Sequence, residues 1–207
     1  MISSITGNGT GAGRTARGKR RFGQDRSGAT VVEFALLALP FLLIASASLE
    51  AGLTYFSQEI LQQAVTDAGR QIYTGQFQVA NVGTTDKTAL LDRFRSALCN
   101  PIGQPPITIF NCANVRVSIT EAATFGGAAP VDAVVADNTG ALGWNPSFAT
   151  YTCGRANAVI IAQAAVDIPV FVPALGIAGT FLPNGRRVLQ AATVFQVEPF
   201  NSSATCS

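Results

Sequence analysis

The character of the positions changes three times along the 207-residue chain. Residues 1–28 are rich in Gly, Ser, Thr and Arg and offer almost nothing to pack, which predicts an unfolded leader. Ala29 to Leu49 is strongly apolar, with Glu33 its single charge and sixteen uncharged residues from Phe34 to Leu49. A spanning helix needs about 20 apolar residues, so this run is slightly short of one. Apolar residues then recur at spacings of three and four, at Ile60, Leu61, Ala64, Val65, Ala68 and Ile72, with Gln58, Glu59, Gln62, Gln63, Asp67 and Arg70 between them. The pattern predicts one helix from about Ala29 to Tyr73, residues 29–49 in lipid and residues 50–75 an amphipathic continuation lying on a soluble domain. Pro40 interrupts it and predicts a kink, and Gly75 predicts its stop.

Residues 76–207 alternate helical and strand-like patterns, which predicts an α+β domain with a small antiparallel sheet against the long helix. Thr84 or Thr85 is placed to cap a helix running to about Cys99, with Asp86 in its first turn and Ala89, Leu90, Phe94 and Leu98 on one face. Val115 to Thr120 alternates apolar and polar residues as a half-buried strand does, and Ala158–Val166 and Val188–Val197 read as two more strands. Residues 168–182 carry no charge, but their two prolines and two glycines make a poor second span. They read as an apolar loop or short helix that covers the sheet or meets a partner.

Composition narrows the chemistry. The chain has no His, which excludes a Ser-His-Asp or Cys-His catalytic unit and any zinc site with an imidazole ligand. Its carboxylates show no acid/base pair at an interpretable spacing, so neither an enzyme nor a cofactor or metal site is expected. Charged residues are 13% against about 25% in an average soluble domain. With a mean hydropathy of +0.31, this composition suits a membrane-anchored chain.

The net charge of +2 hides an asymmetry. Residues 1–28 carry six basic side chains against Asp25 alone, a net +5, and the remainder carries eight basic and eleven acidic, a net −3. A basic arm before an apolar run places the arm in the cytoplasm and the following domain across the membrane. A nucleic-acid-binding tail is the rival reading, but no aromatic platform or DNA-binding motif follows it. Gly13 to Lys19 has the spacing of a phosphate loop, yet Arg20 stands where Ser or Thr must reach the metal.

The informative constellation is Arg26-Ser27-Gly28-Ala29-Thr30-Val31-Val32-Glu33-Phe34-Ala35: a basic arm, a glycine, then an apolar helix with one carboxylate at the fifth position after that glycine. It resembles a prepilin processing site, and more closely the TadE-like minor pseudopilins of tight-adherence (Tad) pilus systems, whose apolar helix begins like G-A-x-x-V-E-F-A. Further matches are Arg70, Cys99 and Cys112 bracketing a loop before Val115, and the ending Val197-Glu198-Pro199-Phe200. That ending resembles the family's N-E-P-[FY] close with Val197 in place of Asn. Ala29 stands where type IV pilins usually have Phe.

The resemblance implies a non-enzymatic minor pseudopilin that assists assembly or initiation of an adhesive pilus. It would have a pilin-like periplasmic domain and a prepilin peptidase cutting between Gly28 and Ala29. Glu33 and Phe34 are then the assembly and recognition positions. The implied partners are the inner membrane, the peptidase, other minor pseudopilins and Tad assembly proteins, and not nucleic acid.

Two alternatives stay open. An uncleaved, membrane-anchored assembly or adhesion factor would keep residues 1–28. A secreted domain would use Ala45-Ser46-Ala47 as an ordinary signal-peptide site, although Glu33 inside the apolar run is then unexplained. All four cysteines, Cys99, Cys112, Cys153 and Cys206, follow the apolar segment, and an even number in an oxidising compartment favours disulfides. Three pairings are possible. The expected one joins Cys99 to Cys112 as a local clasp and Cys153 to Cys206 as a staple for the C-terminal tail.

Overall fold

A computed structural model describes residues 28–101, 103, 105–171 and 181–199. The leader up to residue 27, most of the apolar stretch 168–182, Phe200 and Cys206 lie outside the described residues. The chain divides after Leu43 into two units, and all packing in this subsection belongs to residues 44–207. The class is α+β, as expected.

One helix, α1 (Ala29–Tyr73), covers the expected range, with Pro40 inside it. Its buried positions are Glu50 and then Ser57, Leu61, Ala64, Val65, Ala68, Gly69 and Ile72, the last seven at the three-and-four spacing of a single packed stripe. Gly75, at φ 76°, takes the left-handed conformation that ends the helix. It leads directly into a short helix, α2 (Gln76–Ala80), which the sequence pattern did not show.

The next helix, α3 (Lys87–Cys99), is capped by Asp86 rather than by Thr84 or Thr85. The Asp86 carboxylate accepts from the Thr88 backbone N–H at 2.9 Å. A short carboxylate reaching the N–H two residues on satisfies an orphan donor and also sits well in the helix dipole. Thr84 instead accepts from the Arg93 guanidinium through its hydroxyl. Leu90, Phe94 and Leu98 are buried, and Phe94 meets Phe77 of α2 edge to face at 6.1 Å.

The main sheet is three-stranded and antiparallel, in the order β1 (Arg116–Ala122), β4 (Val159–Ile168), β5 (Arg187–Gln196). Two three-residue strands, β2 (Val134–Ala136) and β3 (Leu142–Trp144), pair separately. The central strand β4 is buried at nine of its ten positions, so both of its faces are covered. Ile160, Ala162, Ala164, Val166 and Ile168 join the core formed with α1 and α3. On the opposite face Ala165 packs with Ala133 and Phe148. The buried Gln163 is satisfied there: its amide accepts from the Val131 N–H at 3.1 Å and donates to the Val131 carbonyl at 3.0 Å. Gln190 of β5 grips the same segment through Ala133 and Val131.

Along β5, α1 runs in the same direction. Gln58 and Gln62, one helical turn apart, donate to the carbonyls of Gln190 and Ala192 at 2.8 and 3.0 Å. These contacts occupy backbone acceptors on β5, which among the described residues is an edge strand of the three-stranded sheet. Gly69 is the point of closest approach, since a Cβ there would lie 3.0 Å from the Phe195 ring and 3.2 Å from the Thr193 methyl. Cys99 and Cys112 are disulfide-bonded across 13 residues, tying the end of α3 to the turn before β1. Closing a loop of that size stabilises the domain by about 3 kcal/mol. Cys153 is disulfide-bonded as well, and its expected partner Cys206 lies outside the described residues.

Candidate functional site

The beginning of α1 gathers the residues that the sequence singles out. Gly28 immediately precedes the helix, Ala29 opens it, and Glu33 and Phe34 follow one turn later; all four are exposed. Ala29 and Glu33 are four residues apart, so they share a helix face about 6 Å apart along the axis. The helix begins here because an Ala/Val/Leu-rich run without Gly or Asp follows Gly28, while Glu33 sits near the positive end of the helix dipole.

The surface beyond Glu33 is apolar all round. From Val31 to Ile44 every large hydrophobic side chain is between 41% and 74% exposed. A helix of this kind is stable only where lipid or other apolar helices surround it. Among the described residues α1 is the one helix long and apolar enough to cross a membrane, and its most apolar window is not buried at all within the protein. The arrangement is that of a single-pass membrane protein. Serine and threonine hydroxyls further along donate one turn back, as Ser48 does to the Ile44 carbonyl at 2.9 Å and Thr54 to that of Glu50 at 2.9 Å. No lone hydroxyl donor is therefore presented by either residue.

The far end of α1 is held by Glu198, from the E-P-F ending noted in the sequence. Its backbone N–H donates to the Tyr73 carbonyl at 3.0 Å, and Tyr73 packs edge to face on Phe195 at 6.2 Å. The Glu198 carboxylate accepts from the Tyr73 hydroxyl and adds its negative charge, and both hold the Tyr73 pKa above 10.0. The folded protein therefore binds this proton more tightly than the unfolded chain does. Stability from the pair is complete below pH 10 and is lost as pH rises through the elevated value. Glu198→Gln is expected to return Tyr73 toward 10.0, read from tyrosinate absorbance against a Tyr73→Phe control. An unchanged titration contradicts the contact. Tyr151 also ionises above 10.0, because burial disfavours its anion, so the control is needed.

A groove of about 510 Å³ lies between α3, β1 and β3. Its charges are already engaged: Asp92 pairs with Arg95 at 2.8 Å, Asp167 with Arg186, and Arg116 stacks over Trp144 at 4.4 Å. Nothing in it converges on an empty point as the groups of a catalytic centre do. Among the described residues there is also no cluster of three or more metal-ligating side chains.

Glu50 opens the stretch 50–75 that the sequence expects to lie on the domain, and its side chain is buried at 5% exposure. It stands seven residues before Ser57 and so prolongs the buried stripe of α1 toward the N-terminus.

Residues 28–70 match the family model described as TadE-like protein. Neither the curated proteins nor the solved structures contain a match to the chain.

Proposed function

We propose that this chain, TadE-like over residues 28–70, is a minor pseudopilin that assists assembly or initiation of an adhesive Tad-type pilus. The TadE-like family belongs to Tad pilus systems as a structural or assembly component. The observation that carries the reading is Glu33, the single charge of the exposed apolar stretch from Ala29 to Leu49, one turn inside the helix that starts directly after Gly28.

A prepilin peptidase hydrolyses the Gly28–Ala29 bond, leaving a carboxylate on Gly28 and a free α-amine on Ala29. Glycine suits the residue before the bond because, lacking Cβ, it allows close approach and extended geometry. A Cβ at Gly28 would meet nothing within 4 Å in the folded chain, so folding does not demand a glycine there. The requirement lies in recognition by another protein.

In the membrane a carboxylate at the centre of a span costs about 2.5–3.5 kcal/mol on insertion scales, and less near an end. The new α-amine, on this subunit or its neighbour, offsets that cost by pairing with Glu33. The apolar helix thus holds the subunit in the inner membrane, with its basic leader in the cytoplasm and its domain in the periplasm. It then packs among the helices of other pilus subunits, and Glu33 fixes the register. The expected result is that host cells lacking this chain lose surface pili and regain them with the wild-type gene. Undiminished piliation in its absence contradicts the proposal.

A further inference from the structure

The burial of Glu50 changes where the lipid-facing surface of α1 ends. Phe34 to Leu49 rises about 24 Å as a helix, short of the roughly 30 Å hydrocarbon core. With Glu50 turned into the domain, the next exposed charge on α1 is Glu59. The charge-free surface from Phe34 to Gln58 is therefore about 37 Å long, enough to cross the core and enter the headgroup boundary.

Its last turn and a half carries Leu53, Tyr55 and Phe56, the two aromatics 69% and 57% exposed. Phe171, just beyond β4, is 71% exposed, and Ile109 is exposed as well. A cleft of about 220 Å³ joins these elements, with Leu53, Ile109, Pro169 and Phe171 on its apolar side and Glu50 and Thr54 among its polar lining. Arg187, at the start of β5, donates to the Thr54 hydroxyl at 3.0 Å, which fixes this end of the sheet beside this turn of α1.

We infer that this end of the domain is seated in the bilayer: Tyr55, Phe56, Ile109 and Phe171 form an apolar collar in the headgroup boundary, and the lipid surface is its partner. The inference rests on reading α1 as a membrane span. Continuity decides the occupant, because the collar prolongs the exposed, charge-free face of the same helix. Aromatic side chains belong at that depth, where their rings meet the acyl boundary and polar tips meet the headgroups. Burial of Glu50 removes the one charge of α1 that would otherwise be carried into this layer, and Asp167 and Arg186 at the same end of the sheet are paired with each other.

The test uses the full chain in phosphatidylcholine vesicles with brominated or ordinary acyl chains. Trp144 is the sole tryptophan, so Trp144→Phe gives a dark background. Single tryptophans are then introduced by Phe41→Trp in the span, Phe171→Trp in the collar and Phe125→Trp. Phe125 follows Ala122, which pairs with Val159 at the end of the sheet away from Ile168. All three positions are exposed, so each substitution leaves the core intact.

Loss of most emission at positions 41 and 171 in brominated lipid, with position 125 unaffected, is the expected result. Quenching at 41 alone overturns the collar while leaving the span in place, and a protein partner then covers the patch. Equal quenching at 171 and 125 overturns it as well, since the domain is then adsorbed without a preferred end. No quenching at any of the three removes the span and the collar together.

Discussion

Glu33→Leu is expected to leave the chain in the membrane and to abolish its ability to restore pili to cells lacking it. The substitution removes a charge from an exposed apolar helix, so insertion becomes easier. Stability of the domain should not change, because Glu33 precedes every residue of the packed stripe of α1. What is lost under the proposed mechanism is the pairing of Glu33 with an Ala29 amine. Leaving one member of such a pair unmatched in a low-dielectric site costs about 3–5 kcal/mol. Each 1.4 kcal/mol is about tenfold in an equilibrium, so sheared pili should fall by more than tenfold. Glu33→Gln keeps the shape without the charge and should fail in the same way. Normal pilus yields with Glu33→Leu remove Glu33 from the assembly mechanism.

Phe94→Ala carries the largest expected effect on stability. Phe94 is fully buried, meets Phe77 edge to face, and holds α3 and α2 against the core. Truncating a buried Phe costs about 3–5 kcal/mol, a large share of the 5–15 kcal/mol that stabilises a typical domain. With a urea dependence of about 1–3 kcal/mol per molar, the midpoint of the full chain should fall by roughly 2 M. Trp144 fluorescence reports the transition, since this sole tryptophan lies in the domain against Arg116. A loss below about 1 kcal/mol means that Phe94 does not fill the core as described.

The extent of α1 was legible because two signals agree: a three-and-four apolar spacing through Ile72 and a glycine that can adopt positive φ at position 75. The three strands of the main sheet were legible from β-branched runs, and their limits shift by only one or two residues. The five-residue α2 and the three-residue β2 and β3 were not. Elements so short carry no periodicity and exist because longer elements hold their ends. The cap of α3 was misassigned among Thr84, Thr85 and Asp86, three adjacent residues that all accept backbone N–H groups, and geometry alone separates them.

At the candidate site, the positions of Gly28, Ala29, Glu33 and Phe34 at the start of α1 were legible because the four are local in sequence. The clamp between Tyr73 and Glu198 joins residues 125 positions apart, and the reading had only the E-P-F ending as a sign of it. The burial of Glu50 was not legible, because it depends on which face of α1 the domain covers.

Cleavage after Gly28 is the step on which the pseudopilin reading stands, and intact mass with N-terminal sequencing of the membrane-extracted chain tests it most directly. With a prepilin peptidase co-expressed, the account predicts a chain that begins at Ala29, and Gly28→Arg should restore the full-length mass. A chain that keeps residues 1–28 in the presence of the peptidase contradicts it and identifies a permanently anchored factor. A chain that begins near Ser48 contradicts both, because the apolar segment is then a discarded signal peptide.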